Sequence, residues 1–303
     1  MPIYPYGKLI RQRREELGFS QQELAAGICS VPTLSRIENG ERLPSKEHNE
    51  LLLQRLGLSD TVRVQYVTEQ SFAQHALKYR IRQAIIHNKT AEAAALLDEF
   101  EAGAEAGDEI SEQFLLIYRT ILDTALACTE GMERFLTAIR MTRPGFDPHN
   151  LPPMLSYEEI VAINNYAATE AETGNVEDAI AIYRGLARLY QEDAINPEEA
   201  LRTQLMVLYN LSKYLGLTEK YGECVQVCEE GIRIARETGK CRFLDMMLYN
   251  KAWSLLKRGR SEDRPEAKEC LRLAICCADA MGSKAYLRHY QKYMEDNFGA
   301  AEA

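Results

Sequence analysis

Apolar positions in the first sixty residues recur at helical intervals in four short segments: Leu9 and Leu17, then Leu24, Ala25 and Ile28, then Leu34 and Ile37, then Leu51, Leu52 and Leu56. Such spacing predicts four or five small helices around one core. Ser20-Gln21-Gln22-Glu23 has the form of a capping box, in which the serine hydroxyl accepts from the Glu23 amide and the Glu23 carboxylate returns to the Ser20 amide. That pair starts a second helix sharply. Ser30 is the natural N-cap of a third helix, which places Pro32 at its second position. A missing backbone N–H removes no intrahelical bond there, so the proline is compatible with the helix.

From about residue 62 the pattern is helical throughout, interrupted by short breaks and offering few candidate strands, so the fold class is all-α. Internal repetition organises this part. VLYNLSKYLGLTEKYGECVQVCEEGI (207–232) resembles a tetratricopeptide repeat, with Leu208, Leu211 and Ser212 in its first helix and Tyr221, Cys224, Cys228 and Gly231 in its second. Residues 161–187 align with it through Ala167, Gly174, Ala179 and Tyr183, and residues 247–274 through Ala252, Gly259, Ala267 and Leu271, with about three extra residues in the turn. Weaker copies cover 70–101 and 111–141. RPGFDPHNLPP (143–153) is a break, Ser156-Tyr157-Glu158-Glu159 is a second capping box, and 283–298 is a terminal helix. The expectation is a helix-turn-helix domain over 1–60 and five repeats with a capping helix over 61–303, wound as a right-handed superhelix.

Composition refines this picture in two ways. The chain has 303 residues with 46% hydrophobic and 27% charged, and no apolar run reaches the ~18 residues of a membrane span, so a cytoplasmic protein with no membrane partner is expected. The net charge of −9 looks wrong for a nucleic-acid binder until it is divided. Residues 1–60 hold 8 Lys or Arg against 8 Asp or Glu, and residues 61–303 hold 28 against 37. The acidity therefore belongs to the repeats, while Lys8, Arg11, Arg13 and Arg14 cluster near the start. Eight cysteines show neither the short paired spacings of a zinc site nor the density of a disulfide scaffold, and Cys224 and Cys228, one helical turn apart, suit a core. With no nucleophile motif, P-loop or metal constellation, no catalytic residue, metal or cofactor is expected.

FSQQELAAGICSVPTLSRIENGERLPS (19–45) resembles the helix-turn-helix of the lambda-repressor and Cro-like (XRE) class, through Gln21, Ala25, Leu34, Ile37 and Glu38-Asn39-Gly40. The resemblance implies a structural ion pair between Arg14 and Glu38. It also implies a phosphate contact from Gln21 and a major-groove face formed by Val31, Pro32, Thr33 and Arg36, to which Arg11 of the basic cluster is added. Cys29 stands where the class usually has its turn glycine, and the segment from Ala25 to Glu38 is one residue short. Val31 and Pro32 bring no side-chain donors, so direct readout rests on Thr33 and Arg36.

Aligning the repeats brings Asn165, Asn210 and Asn250 to one position. An asparagine can donate to and accept from a peptide backbone at once, so such a ladder can hold an extended peptide; it can equally bond within the scaffold. Lys213 could pair with a peptide carboxylate, and Tyr209, Tyr249 and Trp253 could form pockets or simply pack. An XRE-type helix-turn-helix followed by tetratricopeptide repeats resembles the peptide-pheromone receptors of Gram-positive bacteria, the Rgg, Rap, NprR, PlcR and PrgX group, with a shortened turn like that of the PlcR-like members. The resemblance implies a homodimeric transcription regulator that binds an inverted repeat in double-stranded DNA and takes a short signalling peptide in its repeat groove. Two alternatives stand beside it. One is an interaction scaffold, or a regulator whose repeats bind a protein or nothing; the other is a response-regulator phosphatase of the Rap type, which lacks a DNA-binding domain.

Overall fold

The computed structural model describes residues 6–42, 44–56, 69–104, 107–123, 125–195 and 197–299, and these residues contain helices and no strand. They form two compact units, 1–106 and 107–303. The boundary expected at 60/61 lies outside the described residues; compactness places the helix pair 69–102 in the first unit.

The first unit opens with α1 (Tyr6–Glu16), α2 (Gln21–Ala25), α3 (Val31–Glu38) and α4 (Lys46–Arg55). Ile10, Leu24, Ala25, Leu34, Ile37, Leu52, Leu53 and Leu56 share one core. Two of the expected apolar positions face solvent, Leu17 and Leu51 at 42% and 44% exposed, while Ile10 and Leu53, outside the expected set, are buried. The side chain of Leu9 lies outside the described residues. Both expected caps form: Ser20 and Glu23 make a reciprocal box, and the Ser30 hydroxyl accepts from the Thr33 amide with Pro32 in the first turn of α3. Gly7 marks the closest helix approach, since a Cβ there would collide with the backbone carbonyls of Ile37 and Glu38. In the same unit α5 (Glu69–Ile86) pairs with α6 (Thr90–Ala102).

The second unit stacks α7 (Glu109–Leu122) on α8 (Cys128–Thr142), α9 (Tyr157–Glu172) on α10 (Val176–Gln191), α11 (Pro197–Leu217) on α12 (Tyr221–Thr238) and α13 (Leu244–Lys257) on α14 (Arg264–Ala280). It ends with α15 (Lys284–Phe298) against α14. The small residues of the repeat pattern sit where the helices cross: Ala167, Ala179, Ser212, Cys224, Cys228, Ala252 and Ala267 are fully buried. Adding a Cβ to Gly231 would drive it into Met247 and toward Leu208. The turns inside the last three pairs each hold a left-handed residue, Gly174, Glu219 and Gly259. Glycine is free in that conformation and glutamate adopts it only at a cost, so the middle turn carries the strain that the other two avoid. The three extra residues of the last pair form a single 3-10 turn, Ser261–Asp263. First helices touch first helices, α7 with α9, α9 with α11 and α11 with α13, so they line one continuous face.

Candidate DNA-reading and ligand-binding faces

The orientation of α3 rests on a buried charge cluster. The Arg14 Nε and Nη2 donate to the two Glu38 oxygens at 2.6 and 3.1 Å, and Nη1 donates to the Phe19 carbonyl at 2.8 Å. Gln21 Nε2 donates to the same carboxylate at 2.7 Å. The hydrogen bond that Arg14 donates to Glu38 lifts the Arg14 pKa above its ordinary value against the opposing effect of burial. α1, α2 and α3 therefore meet at one carboxylate. α2 has only five residues, and its exposed carbonyl end is satisfied by Arg55, which donates to Leu24 O at 3.0 Å and also to Ala26 O.

Around this clamp, Val31, Pro32 and Arg36 are exposed and Thr33 is half-buried, its hydroxyl sharing a 2.8 Å hydrogen bond with Ser30. Two expected contact residues are engaged within the protein: Gln21 with Glu38, and Arg11 with Glu15 at 3.0 Å on the exposed side of α1. The turn glycine is present but displaced. Gly27, at φ +73°, takes the left-handed position after α2, and Cys29 only leads into the Ser30 cap.

On the second unit, the structure places the seven candidate ligand residues on α9, α11 and α13, where they are half-buried or, for Lys213, exposed. Their polar groups turn to the scaffold. Asn165 Nδ2 donates to Val161 O at 2.8 Å in its own helix, Asn210 Nδ2 to Asn164 Oδ1 at 2.8 Å, and Asn250 Nδ2 to Ser212 Oγ at 2.9 Å. The last two bonds each join a repeat to the one before. The Oδ1 atoms of Asn165, Asn210 and Asn250 have no donor among the described residues. Lys213 Nζ lies 4.9 Å from the Tyr214 ring centre. Trp253 makes an edge contact with Tyr221 at 5.6 Å and lies close to Gly216, and Tyr209 stacks on Phe243 at 5.2 Å. Tyr249 is covered by α15: it stacks on Tyr290 at 4.9 Å, meets Tyr293 edge-on at 5.3 Å and shares a 2.9 Å hydrogen bond with His289. Burial pushes the phenols of Tyr209 and Tyr249 up to about 12, so both stay neutral donors near neutral pH. Among the described residues, no group of three His, Cys, Asp or Glu is placed to hold a metal, and no helix is long and apolar enough to cross a membrane.

Residues 10–62 match a helix-turn-helix family, and residues 146–292 match the RNPP family C-terminal domain. This is a helix-turn-helix protein with an RNPP-family C-terminal domain. Its fold is similar over nearly its whole length to three solved structures. The structure of Bacillus thuringiensis PlcR in complex with the peptide PapR7 and DNA matches with a TM-score of 0.71 and 18% identity, covering 94% of this chain and 98% of that one. ComR from S. thermophilus, in complex with DNA and its signalling peptide ComS, matches with a TM-score of 0.56 and 15% identity, covering 95% and 98%. The pheromone receptor Rgg2 of Streptococcus dysgalactiae matches with a TM-score of 0.55 and 17% identity, covering 96% and 99%. No curated protein matches the chain by sequence.

Two features escaped the sequence pattern. Arg55 gave no signal as a cap for α2, because capping from 29 residues away in the chain leaves no local motif. Phe243 adopts φ +65°, a left-handed conformation that nothing in Arg242-Phe243-Leu244 announces.

Proposed function

We propose that this protein is a DNA-binding transcription regulator whose RNPP-type domain takes a short signalling peptide on its first-helix face. The observation that carries the proposal is the union, in one chain, of a clamped α3 with Val31, Pro32 and Arg36 turned to solvent and an RNPP-family C-terminal domain. The PlcR and ComR structures, each a complex with DNA and a peptide, support the same reading.

In this reading Arg36 forks onto a guanine or a phosphate, Thr33 meets a base or a thymine methyl, and Val31 and Pro32 make apolar contacts. Gln21 and Arg11 meet phosphates by exchanging their present partners Glu38 and Glu15. One such module reads few bases, so a cytoplasmic homodimer on an inverted repeat with half-sites ~34 Å apart supplies the rest, together with DNA deformability. On the ligand side, the free Oδ1 atoms of Asn165, Asn210 and Asn250 accept from peptide N–H groups, while Tyr209, Lys213, Tyr249 and Trp253 border the bound chain. The peptide changes DNA binding to the extent that it prefers one arrangement of the dimer.

The test is selection of bound DNA from a random pool, with and without extracts rich in short peptides. Enrichment of an inverted repeat that shifts with peptide is expected; failure to enrich any inverted repeat rejects the regulator. A second reading, an interaction scaffold, is favoured by the asparagine amides bonded within the stack and by α15 covering Tyr249. It predicts DNA enrichment that no peptide alters.

A further inference from the structure

The link between α12 and α13 contains two left-handed residues, Gly239 at φ +68° and Phe243 at φ +65°. The first is the ordinary glycine end of a helix. The second is an aromatic residue in a conformation that L side chains adopt only at a cost, and such strain persists where the surrounding structure fixes it for a use. Phe243 packs against the core of the second unit and stacks on Tyr209 of α11 at 5.2 Å. This rigid mount carries Arg242, whose guanidinium carbon lies 4.6 Å from the Phe243 ring centre.

Arg242 is open to solvent and has no hydrogen bond or carboxylate partner among the described residues. It nevertheless stands amid protein: the surrounding mass lowers its pKa from the ordinary arginine value, while Tyr157 of α9 and Tyr118 of α7 lie near enough to oppose that effect. Because Phe243 stacks on Tyr209 of α11, the cation it carries stands at the border of the first-helix face. Stacking on Phe243 limits its rotamers and leaves its N–H fork free, the arrangement suited to a carboxylate.

We infer that Arg242, held over Phe243, binds a carboxylate of the peptide ligand, either its C-terminus or an acidic side chain. The inference rests on the peptide-receptor reading and adds a ligand chemistry to it. Tyr209, beneath Phe243, then borders the same subsite, and the strained link is what aims the charge.

The test uses the full-length protein and randomised heptapeptides, synthesised once with free C-terminal carboxylates and once as carboxamides, with retained peptides identified by mass spectrometry. Peptides kept only from the free-acid pool identify a C-terminal carboxylate; peptides kept from both pools with Asp or Glu at a fixed place identify a side chain. Arg242→Gln should weaken retained peptides about 10- to 100-fold, the loss of a charge-assisted hydrogen-bonded contact, and Arg242→Lys by less. Phe243→Gly, which relaxes the backbone but also removes a ring packed on the core, should weaken them too, with thermal unfolding read alongside to separate the loss of the mount from a loss of stability. Wild-type peptides that carry no required carboxylate, or equal affinity in Arg242→Gln, overturn the inference and leave the receptor reading standing. No retained peptide from either pool overturns both.

Discussion

Replacing Arg14 by methionine tests whether the charge cluster beneath α3 holds the reading helix. The Glu38 side chain is 1% exposed and that of Arg14 is 10% exposed, so water can do little to replace a lost partner. Of the three hydrogen bonds reaching the Glu38 carboxylate, two come from Arg14 and one from Gln21. Arg14→Met leaves a buried carboxylate with the Gln21 amide alone, and breaking a buried pair from one side costs about 3–5 kcal/mol. That is a large fraction of the ~5–15 kcal/mol stability of a typical domain. Glu38→Leu should cost less, because Arg14 keeps the Phe19 carbonyl at 2.8 Å and the exposed Glu15 at 3.4 Å. The double variant should be more stable than Arg14→Met alone, with a coupling energy of about 2 kcal/mol or more, since apolar replacement of both partners leaves no charge stranded. Native-state hydrogen exchange of the α1 to α3 amides in the full-length protein reads these differences locally, without assuming that two units unfold together. A cost below about 1 kcal/mol for Arg14→Met, or single costs that add within ~0.5 kcal/mol in the double variant, would refute the clamp.

Four further outcomes are expected. Gly7→Ala should destabilise the first unit by about 1–3 kcal/mol or more and reduce DNA retention, because its methyl meets backbone carbonyls of Ile37 and Glu38 that cannot rotate away. Arg36→Ala should weaken binding to a selected operator by about 1–3 kcal/mol with relaxed specificity at one position if it reads guanine, or reduce the salt slope by about 1 if it meets phosphate; an unchanged affinity and slope removes it from the interface. Ser156→Ala should lower the melting temperature of the second unit through a loss of ~1 kcal/mol, because the hydroxyl caps α9 through the Glu159 amide. Asp245 carries a pKa raised from 3.8 mainly by burial, against the backbone and Tyr290 hydrogen bonds that lower it. Its folded form thus binds protons more tightly than the unfolded chain, and stability should fall as pH rises from 3.8 through the raised value. Asp245→Asn should flatten that fall in urea titrations across the acidic range; an unchanged slope would show that the carboxyl is not desolvated.

The parts of this fold that were legible in the sequence are those written in local or periodic chemistry. Ser20 with Glu23, Ser156 with Glu159, and Ser30 before Pro32 each announce a helix start within four residues, and all three form. The repeats were visible because close helix crossings admit only small residues such as Ala167, Ser212 and Ala252. The pair Arg14 and Glu38 came from the family resemblance, and the 2.6 Å contact matches it. What escaped depends on contacts between distant segments. Aligning Asn165, Asn210 and Asn250 found a shared position, but whether an amide turns outward or hooks a neighbour depends on the offset between repeats, which spacing does not encode. For Tyr249 pocket and packing stay open in the sequence, because nothing along the chain says that α15 lies across it. Cys29 stands where the helix-turn-helix class usually has its turn glycine, whereas with α2 ending after five residues the left-handed position falls at Gly27.

The two asparagine hooks also give the first-helix face a polarity. Asn210 on α11 donates back to Asn164 on α9, Asn250 on α13 donates back to Ser212 on α11, and Tyr214 on α11 donates back to the Ala168 carbonyl at 3.4 Å. On the first-helix face the later pair is the donor in each of these bonds, while elsewhere the direction reverses: Thr142 of α8 donates forward to Glu159 of α9, and Arg184 of α10 to Glu223 of α12. Neighbouring pairs are thus cross-bonded in both directions, so removing any one pair leaves an unmatched polar group on the next and costs more than the apolar area it uncovers.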